Sequence, residues 1–80
     1  MTSEQCRAAR ALLAMSQDDL AAVSGVAKRT IADVERATRR SPHRSTLAAL
    51  QRALEAAGVE FITENGGGPG VRLRKEGSDQ

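Results

Sequence analysis

Gly25 is the residue that most narrows what this chain can become. Two stretches of helical period flank it, Gln17 to about Ser24 and Ala27 or Lys28 to about Ala37, with almost no chain between them in which to turn. A left-handed, helix-ending conformation prefers glycine, so the pattern requires two short helices joined by a tight turn. Ser16 offers an N-cap to the first of the pair, and Gln17, Asp18 and Asp19 fall in its first turn, where acidic groups suit the helix dipole. Leu20, Ala21 and Ser24 share one face of that helix, and Ile31 and Val34 point inward from the next.

A helix braces the pair on either side. Thr2 or Ser3 caps the first, which runs to about Ala14 with Cys6, Ala9 and Leu13 at helical spacing and Arg10 beside them. Thr38–Arg44 has no apolar residue and contains Pro42, so it reads as a loop. Ser45 then caps a fourth helix, Thr46 to Ala57, with Leu47, Leu50, Ala53 and Leu54 on one side and Gly58 as its stop. After Gly58 the period changes: Val59–Ile62 and Val71–Arg74 are short, β-prone and largely alternating, and the segment between them is turn-forming throughout, so a β-hairpin is expected. Residues 75–80 are polar and expected to be a disordered tail.

The core of such a chain is thin. Phe61 is the only aromatic residue, and much of the 40% apolar content is alanine. A chain of 80 residues also buries a smaller share of its surface than a larger one, and oligomerisation is an ordinary remedy. Charge is unevenly placed. Lys28, Arg29, Arg36, Arg39, Arg40, Arg44 and Arg52 stand against Asp33 and Glu35, a local balance of +5 in a chain whose total is +2. Cations packed into one third of a chain suggest a polyanion as partner; a solvated basic face is the plainer alternative.

Several function classes find no support. No apolar run approaches the length of a membrane helix, and the N-terminus lacks the order of a signal peptide. Cys6 is the single cysteine, so no intramolecular disulfide forms, and it reads as a small buried apolar residue of a cytoplasmic, nucleoid-associated protein. The Gly66-Gly67-Gly68-Pro69-Gly70 run lacks the Lys-Ser/Thr and following helix of a phosphate loop. His43 has no neighbouring cysteine or histidine with which to hold a metal. No nucleophile and base stand together, so the chain is expected to be neither an enzyme nor the holder of a cofactor.

The stretch SQDDLAAVSGVAKRTIADVE, Ser16–Glu35, resembles the Cro/C1-type helix-turn-helix family of transcriptional regulators, the XRE family. Gln17, Leu20, Ala21, Gly25, Val26, Ile31, Val34 and Glu35 match its pattern, and the likeness extends over roughly residues 6–59 through Arg10 and the fourth helix. The resemblance implies a mainly α fold with four helices of the Cro/C1 kind; with the hairpin expected after them, the chain divides into a DNA-binding unit at 1–58, the hairpin at 59–74 and the tail at 75–80. The resemblance also implies a double-stranded operator as partner, with the third helix in the major groove of an inverted repeat, and a homodimer that represses. Carried onto this chain, Lys28, Arg29, Thr30 and Asp33 fall at base-contacting positions. Arg29 suits guanine O6 and N7, Lys28 suits guanine or a phosphate, and Asp33 either accepts from cytosine N4 or pairs with Arg29 along the helix. Gln17, Arg36, Arg39, Arg40, His43 and Arg44 fall at positions for backbone contacts, and Arg10 and Glu35 at those of an ion pair between helices one and three.

Two features depart from the pattern. Ala27 stands where the family commonly has a capping Ser or Thr, and Ala37-Thr38 where it commonly has a glycine. The hairpin lies outside the resemblance, and its Val59, Phe61, Ile62, Val71 and Leu73 are expected to form the dimer contact, with helices one or four, and Leu12 on the first of them, as the rival. An antitoxin that also blocks a toxin, or a protein-interaction module of the same fold, are the other readings; exposed Lys28 and Arg29 weigh against the last.

Overall fold

Thr2 opens the first helix with a reciprocal cap. Its hydroxyl accepts from the Gln5 N–H at 3.0 Å, and the Gln5 side-chain oxygen accepts from the Thr2 N–H at 2.9 Å. The computed structural model describes residues 1–36, 43–63 and 66–74. Helix α1 spans Ser3–Leu12 and ends two residues before Ala14, earlier than its pattern suggests. Ala14 adopts the left-handed φ of +54°, and the Met15 and Ala14 N–H groups return to the Arg10 and Ala11 carbonyls at 2.9 and 3.1 Å. This is the double closure that usually employs glycine; with alanine it costs about 1 kcal/mol.

Helix α2, Gln17–Ser24, is capped in the same reciprocal way by Ser16 and Asp19, with bonds of 2.9 and 3.0 Å. Gly25 ends it at φ +77°, its N–H on the Ala21 carbonyl. Ser24 then helps the turn, its hydroxyl accepting from the Val26 N–H at 3.1 Å. Helix α3 spans Lys28–Arg36. Ala27 supplies the first carbonyl, to Ile31 N–H at 3.0 Å, but has no side chain with which to cap the helix.

Helix α4 runs Arg44–Ala56. Ser45 is therefore not its cap: His43 holds that position, without a side-chain bond, and Leu47 N–H reaches the His43 carbonyl at 3.1 Å. Once a helix exists, each further residue adds a backbone bond at little cost, so Arg44 joins the first turn instead of the loop. The remainder of that loop, with Arg39 and Arg40, lies outside the described residues, as do Ala37, residues 64 and 65 of the hairpin loop, and the tail from 75 onward.

Strands β1 (Val59–Ile62) and β2 (Gly70–Leu73) pair antiparallel, Val59 opposite Leu73 and Phe61 opposite Val71. The second strand is thus shifted one residue from its expected start, because Gly70 pairs with Ile62 while Arg74 N–H bonds the Gly58 carbonyl at 2.7 Å. Helices and hairpin share one core. Cys6, Ala9, Leu20, Ile31, Val34, Leu50 and Leu54 are buried together with Val59, and Phe61 and Val71 pack against them. Gln5 fastens the hairpin to α1: its buried amide donates to the Ile62 and Gly70 carbonyls at 3.2 and 2.9 Å. No helix among the described residues is long and apolar enough to cross a membrane.

Candidate nucleic-acid interface

The outward face of α3 owes its position to a carboxylate on its inward face. Glu35, 4% exposed, is gripped by Arg10 through Nε and Nη2, both at 2.7 Å. Gln17 Nε2 adds a bond of 3.0 Å from α2, and the Cys6 thiol one of 3.3 Å from α1. Arg7 donates to the Glu35 backbone carbonyl, and Arg10 Nη1 to the Met15 carbonyl at 3.0 Å. Burial pushes the Glu35 carboxyl up, but the bonds from Arg10, Gln17 and Cys6 and the charge of Arg10 together hold it below its ordinary value. Burial, then the bond and charge of Glu35, drive the Cys6 thiol up to about 12, which suits a buried neutral donor rather than a nucleophile.

With Ile31, Val34 and Glu35 turned inward, Lys28, Arg29 and Arg36 are exposed and Thr30 and Asp33 half-buried. Lys28 Nζ lies 3.3 Å from an oxygen of Asp18, across the turn. Asp33 pairs with Arg36 at 2.9 Å, and the alternative of an ion pair with Arg29 is not formed: three residues along the helix already place Arg36 in reach. Among the described residues Arg29 makes no hydrogen bond or ion pair. His43 and Arg44 are exposed at the start of α4, whose first turn holds no acidic residue and no side-chain cap. A helix N-terminus of this kind attracts anions.

Gln17 stands at the start of α2, half-buried, with one N–H of its side-chain amide given to Glu35. Among the hairpin residues, Val59 is buried, Phe61, Ile62 and Val71 are half-buried, and Leu73 is 53% exposed. Leu12, on α1, is also exposed. Gln5, Cys6 and Arg7 were not singled out by sequence reasoning as members of a polar network. For Gln5 a signal exists, since Thr2-x-x-Gln5 has the capping-box spacing; Arg7 carries none. Among the described residues no cluster of three His, Cys, Asp or Glu is placed to hold a metal ion.

The sequence matches the helix-turn-helix family model over residues 7–61, the stretch from within α1 into the first strand. A search of curated proteins found no match. The family is one of DNA-binding, non-enzymatic domains, and the match covers the paired helices, the glycine turn between them and the helices that brace them. The chain belongs to the Cro/C1-type helix-turn-helix family.

Proposed function

We propose that the protein is a sequence-specific transcriptional regulator that represses by occupying an inverted-repeat operator as a dimer, with α3 in the major groove. One observation carries the reading: Arg29 is exposed and unengaged among the described residues, on a helix whose opposite face is locked by Glu35 and the apolar core. A planar guanidinium on a fixed helix suits bidentate contact with guanine. Lys28, Thr30 and Asp33 share the base-reading role. Gln17, Arg36, His43 and Arg44, with Arg39 and Arg40, hold phosphates, which gives affinity and register without sequence choice.

Two copies set their recognition helices about one DNA turn apart. The hairpin supplies the contact between them: Leu73 is a large apolar side chain in the open, and Ile62 lies at the other end of the sheet. Duplex binding followed by fluorescence anisotropy over a salt series tests the reading. About four to six phosphate contacts per protomer make affinity fall steeply between low and moderate salt. A flat response, or no duplex bound at low salt, overturns it.

A further inference from the structure

The helix-turn-helix face is less cationic than its place in a basic segment suggests. Apart from the buried Glu35, Lys28, Arg29 and Arg36 on α3 meet three carboxylates on the same pair of helices: Asp18 and Asp19 in the first turn of α2, and Asp33. Asp19 is occupied at the Ser16 N–H, and Asp33 at Arg36. Asp18 has no such local task. Its two oxygens lie 3.3 and 3.4 Å from Lys28 Nζ, joining the first turns of the two helices across ten residues of chain. Both side chains stay largely in solvent, 74% and 57% exposed. An exposed pair of this kind contributes little to folding.

Its effect on a polyanion is larger. A phosphate that approaches Lys28 must displace a carboxylate and then stand beside its charge. A base edge that Arg29 reads meets no such obstacle, because Arg29 is unengaged among the described residues. We propose that Asp18 is a specificity-determining residue: it keeps Lys28 from backbone phosphates, so that random duplex is held weakly and base contacts decide residence. The proposal rests on the DNA-binding reading above.

Anisotropy of the full chain with a labelled random-sequence duplex, in wild type, D18N, K28A and the double variant, tests it. One further phosphate neutralised steepens the salt dependence by about 0.9 in log–log slope and raises affinity about eightfold at 0.1 M salt. D18N is expected to show both changes, and removing Lys28 cancels most of that gain, so that the double variant binds random duplex within about twofold of K28A alone. On a duplex obtained by selection, D18N gains less than on random sequence, so discrimination narrows. Asn at this exposed position leaves the thermal transition in place, which circular dichroism checks. Unchanged binding by D18N overturns the proposal and leaves DNA binding intact, as does a gain equally large without Lys28. Failure of every variant, wild type included, to bind at low salt overturns the DNA reading and this inference with it.

Discussion

At Glu35 three helices meet on one carboxylate. Arg10 and Cys6 reach it from α1 and Gln17 from α2, while α3 carries it. Arg10→Ala strands a buried charge, and because Arg10 is itself 21% exposed the loss belongs at the lower end of what such a deletion costs, about 3 kcal/mol. In a chain this small that lowers Tm by more than about 10 °C in thermal denaturation; a shift of one or two degrees means the pair is solvent-screened. Acid should show the same bond. The Glu35 carboxyl titrates lower folded than unfolded, so its contribution is complete above its ordinary value of 4.5 and disappears as pH falls below that, through its folded value. Glu35→Gln removes this part of the acid sensitivity. A smaller slope remains, since exposed Glu4, Asp19 and Glu60 also titrate low. An unaltered acid profile in Glu35→Gln contradicts the account. The Arg10 and Glu35 positions were legible through the family pattern. The Gln17, Cys6 and Arg7 bonds were not, because they depend on how helices cross and leave no mark on spacing.

The glycine-marked turn and the interior of α2 were readable because Ser16, Asp19 and Gly25 are residue types with one dominant use at those places. Helix ends without such residues were not. Ala14 closes α1 in a conformation alanine rarely takes, and α4 starts before its apparent cap because backbone bonding carries it to His43. Helix α3 begins equally unaided, since Ala27 leaves its first-turn amides without a side-chain acceptor. Ala27→Ser should therefore stabilise the protein by about 0.5–2 kcal/mol, seen as a raised Tm together with slower exchange of the first amides of α3. A lowered Tm would show that the turn has no room for the extended cap conformation. The hairpin is legible in the alternation of its two strands and the turn-forming run between them. Its register, with Gly70 opposite Ile62, followed from pairing that no composition signal specifies.

The four-helix fold and its hairpin followed from the sequence pattern, whereas the way the two parts join did not. Val59 sits at zero exposure among residues of α1 to α4, and Gln5 bonds the far end of the sheet. The hairpin therefore cannot be cut away at Gly58 to ask about oligomerisation: the cut removes part of the core. A surface substitution is the cleaner probe. Leu73→Glu places a charge on the exposed apolar position of β2; the proposed hairpin contact predicts that sedimentation finds wild type as a dimer and this variant as a folded monomer, with DNA affinity reduced accordingly. A dimer that survives Leu73→Glu moves the contact to another surface, and Leu12→Glu on α1 then becomes the probe.

The central claim, that α3 reads duplex sequence through Arg29, is tested most directly by selecting binders from a pool of randomised duplexes with wild type and with Arg29→Ala. The account predicts that wild type enriches an inverted repeat whose half-site centres lie about ten base pairs apart, or a multiple of that. Each half-site should contain a guanine whose preference vanishes in Arg29→Ala, at a cost of about 1–3 kcal/mol on the selected site and little on random DNA. No enrichment by wild type, or the same motif at undiminished affinity in Arg29→Ala, would contradict it.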